Sequence, residues 1–187
     1  GNYGNLAAGL YAWKFCLPVN GFITDATPAL TCDDAGQCRC MDSSIPLAER
    51  GPADPAVPSS IERLEQIFSV SPAVMKSIIF PAAVSDQEAE NLIRLSYKRY
   101  GIMFDTATAH AYAAVKNRHM FKQQGVESIV LVSKDHPAFE SGILSRICGE
   151  PPIIPEYLHG IDTPLQNIPL ITGTKEELIN ILNLVKE

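Results

Sequence analysis

The feature that most limits the fold is a run of six residues, Ser128-Ile129-Val130-Leu131-Val132-Ser133. It is short and β-branched, with Gly125 before it and a segment of helical character, Pro137 to Cys148, after it. A continuous apolar run of this length suits a strand buried on both faces, as in a parallel sheet. A second strand reads over Leu17 to Thr24, where Val19 and Phe22-Ile23 are apolar, and Leu170-Ile171 reads as a short strand end. Strands alternating with helices place the chain in the α/β class. Two clear strands are fewer than a complete doubly wound sheet carries, so the expectation is a partial three-layer sheet with flanking helices.

The helices announce themselves by spacing and by their ends. Leu6, Leu10 and Trp13 recur at helical intervals between Gly4 and Phe15. Ser59-Ser60 can cap a helix carrying Ile61, Leu64, Ile67 and Phe68, and Ser71-Pro72 can start another through Val74 and Ile78. Ser85 with Glu88 three residues on has capping-box spacing, and that helix should stop at Gly101. Asp105 or Thr106 opens an alanine-rich helix to about Gln124. Thr174 with Glu177 opens the last, with Leu178, Ile181, Leu182 and Val185 facing inward. Thr27 to Ser60 holds five prolines and little periodicity, which predicts a long loop inside a single α/β domain covering 1–187.

Composition excludes several classes of function. The chain has 187 residues, 46% hydrophobic and 19% charged, which fits a folded domain and not a disordered one. A net charge of -6 argues against nucleic-acid binding. No apolar run is long enough to span a membrane; Ile78 to Val84 is short and broken by Pro81. No basic-then-apolar leader is visible, and the expected setting is the cytoplasm. Five cysteines, Cys16, Cys32, Cys38, Cys40 and Cys148, do not form a disulfide framework, and the C-x5-C-x-C spacing of three of them is not a usual zinc pattern. They read as reduced thiols, and no metal site is assigned.

The sharpest local feature is the start, Gly1-Asn2-Tyr3-Gly4-Asn5, running directly into a helix. Glycines can turn backbone N–H groups inward, and the helix N-terminus adds partial positive charge, so the segment can hold an anion such as the phosphate of a small ligand. An ordinary glycine-rich helix entry would look the same. Such loops are normally delivered by a preceding strand, which suggests either a segment of a longer protein or a truncated relative of one.

Here a family resemblance enters. Gly1 to Leu10 resembles the G-N-F-G-[DN]-x-x-A-G-x loop of threonine synthases. The likeness continues at Leu17-Pro18-Val19 and Phe22-Ile23. It returns at Pro58 to Leu64, similar to N-P-S-N-x-x-R-x. It is seen again from Tyr100-Gly101 through Asp105 to Ala114, similar to G-x-x-x-D-P-H-[TS]-A-x-A, and at His136-Pro137-Ala138, similar to T-A-H-P-A-K-F. The order holds over residues 1 to about 150. The resemblance implies the C-terminal half of the large domain of a fold-type II enzyme dependent on pyridoxal phosphate, a lyase of threonine biosynthesis that converts O-phosphohomoserine to threonine and phosphate. It implies that Gly1, Asn2, Tyr3, Gly4 and Asn5 cup the cofactor phosphate, and that Ser133 or Lys134 stands where the family has a threonine against the ring nitrogen.

Four departures bear on activity. The family's Schiff-base lysine lies in an F-K-D motif, which is not among these residues; Phe121-Lys122 is followed by Gln123 and reads as surface. Lys134 takes the threonine position, unless a shift of one residue brings Ser133 there, and an ammonium facing the ring would weaken the electron sink. Asp105-Thr106-Ala107-Thr108-Ala109 lacks the Pro and His of D-P-H-T-A, and Asp25-Ala26-Thr27-Pro28 replaces an asparagine-rich turn. No residue is therefore assigned a catalytic role, and cofactor binding by the chain alone should be weak or absent.

The histidines add little. His136 lies between a strand end and a helix start, where capping is the simpler role; His110 and His119 fall on opposite faces of one helix; His159 is in a proline-rich loop. Tyr97, Tyr100 and Tyr112 read as half-buried core. Two readings remain. The chain is part of a threonine synthase-like enzyme, inactive by itself, or a stand-alone relative that binds a phosphorylated ligand or a partner without catalysis. Either leaves apolar surface that self-association, or the remainder of the fold, would cover.

Overall fold

The computed structural model describes residues 2–40, 60–68, 72–118, 128–160, 163, 174–176 and 179–180. The chain divides into two compact units, Gly1–Pro152 and Ile153–Glu187. In the first, α1 (Gly4–Lys14) leads to β1 (Phe22–Asp25), a hairpin of β2 (Leu30–Cys32) and β3 (Cys38–Cys40), then α2 (Ile61–Phe68), α3 (Pro72–Ile78), β4 (Ile79–Ala82), α4 (Asp86–Tyr100), α5 (Thr106–Asn117) and α6 (Ser141–Cys148). A 3-10 turn, Pro137–Glu140, precedes α6. In the second unit the described residues contain a 3-10 turn, Glu156–Leu158, after Pro155, and helical residues at 175–176 and 179–180.

β1 and β4 pair in parallel, Phe22 opposite Ile79 through Asp25 opposite Ala82. Close approach here depends on two glycines. A Cβ on Gly9 of α1 would stand 2.6 Å from the Phe22 ring, and one on Gly21 would stand 2.4 Å from the Phe80 ring and 3.0 Å from the Ile78 carbonyl. Leu10, Leu30, Ile61, Leu64 and Ile79 are fully buried around this pair. Lys14, in the last turn of α1, donates to the Ile67 carbonyl of α2 at 2.9 Å, a cation placed at a helix C-terminus.

A second core lies between α4, α5 and α6, centred on Ala89, Ile93, Ala109, Leu144 and Ile147. The small alanines let α4 and α5 pack closely. Ser85 and Glu88 form the full capping box, and Gly101 ends α4 in the left-handed region at φ 68. Arg146 reaches Glu90 at 3.3 Å, and the Tyr97 hydroxyl donates to Glu150, so the C-terminal end of α6 is tied to α4 by two contacts.

Four expectations change. Residues 128–133 form no strand: Val130 is 85% exposed and Val132 61%, and no described segment offers them a ladder. A buried parallel strand exists only where neighbours pair with it on its edges. The second strand of the parallel pair is instead Ile79–Ala82, within the run that Pro81 interrupts. Proline lacks an N–H but still offers its carbonyl, and Arg118 donates to it at 3.2 Å. The segment read as loop from Thr27 contains the β2–β3 hairpin, pinned at its turn by Asp33; residues 41–59 lie outside those described. The alanine-rich helix ends at Asn117, not near Gln124, and Gln124, Phe121-Lys122 and His119 lie outside the described residues. So do Leu170-Ile171 and most of the last helix.

Candidate functional site

Two helix N-termini in the first unit invite an anion, and they are handled differently. At α5, Asp105 is the N-cap, 1% exposed, and its carboxylate accepts from the Thr108 N–H at 3.0 Å and from the Thr108 hydroxyl. Glu140 accepts from the Thr106 N–H at 2.7 Å and the Thr106 hydroxyl at 2.8 Å. Two carboxylates of the protein therefore already answer the positive end of this helix.

At α1 no such group is present among the described residues. The helix has no acidic residue in its first turn and no side-chain cap. Tyr3 occupies the N-cap position in the left-handed region, φ 58 and ψ 17, a conformation that costs a non-glycine residue about 1–2 kcal/mol. Its carbonyl accepts the Ala7 N–H at 2.9 Å, and its hydroxyl donates toward the Asp25 carbonyl at 3.1 Å and Thr27 Oγ1 at 3.0 Å. The buried ring thus pins the loop to the C-terminal end of β1. Asn2 Oδ1 accepts the Gly4 N–H at 3.1 Å. The positive φ falls on Tyr3 and not on Gly4, which corrects the sequence expectation for that glycine. Gly4 is already helical, and its use is space, since a Cβ there would lie 3.2 Å from Asn2 Oδ1.

Ser60 completes this end. Its carbonyl accepts the Leu64 N–H at 3.1 Å, as an N-cap residue of α2 does. Its hydroxyl, however, does not cap α2. The residue is 1% exposed, and Oγ has no hydrogen-bond partner. An unsatisfied buried hydroxyl costs about 1–3 kcal/mol. Oγ lies 3.9 Å from where a Cβ on Gly4 would be, so it faces the first turn of α1. A buried donor without an acceptor, a helix N-terminus without an anion and an adjacent glycine fit a phosphate. Asn2 and Asn5 are at the surface of the same turn, Asn2 exposed and Asn5 exposed; Gly1 lies outside the described residues.

Ser133 and Lys134 are gathered by α5 instead. The Lys134 N–H donates to Thr108 Oγ1 at 3.0 Å, and the Ser133 hydroxyl approaches Asp105 Oδ2 at 3.5 Å and Thr108 Oγ1 at 3.4 Å. The Lys134 ammonium is turned to Asp135, 2.7 Å away and half exposed, and this pairing holds it above the usual lysine range. It is the backbone of this turn that is fixed, while the charge is occupied by its neighbour. His136 caps the following 3-10 turn, its Nδ1 accepting the Ala138 N–H at 3.1 Å. Sequence reasoning missed Ser60, which it read as a helix cap, and Glu140. Nothing local distinguishes a serine that caps its own helix from one turned to another.

Comparison with known proteins bears on the fold that carries these two groups. No family model matches the chain. Threonine synthase of Escherichia coli (strain K12) is 27% identical over 177 residues, 90% of this chain and 39% of that protein. This chain is threonine synthase-like. The crystal structure of threonine synthase from Escherichia coli superposes with a TM-score of 0.62 at 24% identity, covering 99% of this chain and 42% of that one. The structure of PLP-bound threonine synthase from Brucella melitensis gives 0.57 at 17% identity, over 86% and 39%. Those two structures establish a shared α/β fold. The threonine synthase-like chain spans about two fifths of the length of the proteins it matches.

Proposed function

We propose that this chain is the C-terminal portion of a threonine synthase-like enzyme, contributing one end of the cofactor site in the large domain. In this reading 1–187 act as one α/β segment of a three-layer sheet, in the cytoplasm. The observation that carries the proposal is the buried, unpartnered Ser60 hydroxyl facing the open N-terminus of α1. Ser60 would donate to a phosphate oxygen, and the first-turn amides of α1 would hold the same group. Asn2 and Asn5 would border it, the resemblance alone adds Gly1 to the same cup, and Tyr3 holds the loop against β1. Pyridoxal phosphate, when bound, supplies an electron sink for chemistry at the substrate's carbon atoms. Ser133 and Lys134, held by Thr108 and Asp105, would be the residues that meet the ring end.

The phosphate end is tested with pyridoxine phosphate, which keeps the phosphate but has no aldehyde to react with lysines. Calorimetry at high ligand concentration should show weak binding through the phosphate, and Ser60→Ala should weaken it further, about tenfold, the worth of one hydrogen bond to a charged group. Equal affinity of the two proteins would remove the site. Catalysis is a separate matter. No F-K-D lysine is among these residues, so the purified chain should make no threonine from O-phosphohomoserine. Detectable threonine would show that another lysine serves. A stand-alone phosphate-binding role shares the first result and differs only in what else the cell supplies.

A further inference from the structure

We propose that Cys32 and Cys38 are a site of reversible oxidation, closing to a disulfide across the β2–β3 hairpin. The two residues are direct partners in the antiparallel register. The Asp33 N–H donates to the Gln37 carbonyl at 2.9 Å, which makes 33 and 37 the hydrogen-bonded pair next to the turn. Ladder pairs alternate, so Cys32 and Cys38 occupy a non-hydrogen-bonded position, where opposed Cα atoms come to about 4.5 Å and side chains lie on one face. That separation is inside the range a disulfide spans. The C-x5-C spacing, which is not a usual zinc pattern, is the spacing of a five-residue connection between opposed strand positions.

The two thiols also differ in access. Cys38 is fully buried and Cys32 is partly exposed, so an oxidant reaches Cys32 first. The Arg118 guanidinium, stacked 4.5 Å over the Phe80 ring, lies within electrostatic reach of both sulfurs. Cys16 and Cys148 belong to other elements and have no such partner position. With a glutathione disulfide as oxidant the steps balance. The Cys32 sulfur loses its proton and attacks one glutathione sulfur, and a glutathione thiolate leaves. The Cys38 sulfur then loses its proton and attacks Cys32, and the second glutathione leaves as thiolate. Two cysteines lose two hydrogens and two electrons, and one glutathione disulfide becomes two thiols. The proposal does not rest on the cofactor reading.

The test uses the whole 187-residue chain in a series of oxidised and reduced glutathione. Free thiols are alkylated, and the protein is cut before Asp33 and Asp34 and after Arg39. Cys32, Cys38 and Cys40 then fall on three different peptides. Mass spectrometry without reduction should find the Cys32 and Cys38 peptides joined and alkylation lost at both. Cys16 and Cys148 should remain alkylated. Cys38→Ser should leave Cys32 as a mixed disulfide with glutathione. In concentrated urea the preference for Cys38 over Cys40 should disappear. Full alkylation of Cys32 and Cys38 at oxidising ratios, a dominant Cys32 to Cys40 link, or the same preference in urea would each overturn the proposal.

Discussion

Tyr3 shows how one residue can serve two ends. Its backbone accepts left-handed geometry so that the chain can turn into α1, and its side chain recovers that cost at the C-terminal end of β1. Burial of the ring and two oxygen partners hold it there. Tyr3→Phe keeps the ring and removes the hydroxyl. Net loss of a hydrogen bond of this kind is about 1 kcal/mol. The urea midpoint should fall by a corresponding amount with the slope unchanged, and an unshifted midpoint would mean that the hydroxyl does nothing for stability. Lys134 gives a different lesson. Read in sequence, it is an ammonium where a hydroxyl is expected. In the structure its charge is paired with Asp135 and its N–H is what binds Thr108. Side-chain type alone did not say which atom of the residue faces the site.

Among the elements, α4 was legible throughout, because its ends are written in local chemistry. Ser85 and Glu88 exchange hydrogen bonds across the first turn, and Gly101 takes the conformation that other residues avoid. Glu88 is held below the ordinary glutamate value of 4.5, first by the Ser85 backbone N–H and then by its hydroxyl. The sign follows from the depressed pKa. The carboxylate's contribution is fully present above the ordinary value and is lost as pH falls through the lower, folded one. Acidification into that window should fray the start of α4. Amide exchange at Ala89 and Glu90 should speed up there, and Glu88→Gln should remove most of the pH dependence. Flat exchange rates across the window would show that the box is not coupled to protonation. The strands were less legible. Residues 128–133 have the composition of a buried strand but no ladder, while Ile79–Ala82 pairs with β1 despite Pro81. A strand needs a partner at the right edge, and composition does not name one.

For the whole molecule, the question is what covers its apolar surface. Val130, Val132, Phe139, Ile153 and Tyr157 are all more than half exposed. Scattered exposure of single residues is ordinary, but Val130 and Val132 belong to one segment with which no described strand pairs. The isolated chain should therefore self-associate at micromolar concentration, and charged replacements at Val130 and Val132 together should reduce this. A uniform monomer by light scattering would show that these residues are harmless to solubility.

The sequence by itself determined what depends on neighbours a few residues apart. It placed α1, the capping box, the glycine stop of α4, the start of α5 at Asp105 or Thr106 and the loop that resembles a threonine synthase phosphate cup. These follow from hydrogen bonds and backbone preferences that close within one or two turns. Only the tertiary structure decided the rest: that Ser60 turns its hydroxyl to α1, that the α5 N-terminus is filled by Asp105 and Glu140, and that Cys32 faces Cys38. Each of these joins residues whose separation is set by packing. Direction in space, and the free energy of a buried polar atom left with or without a partner, exist only once that packing is made.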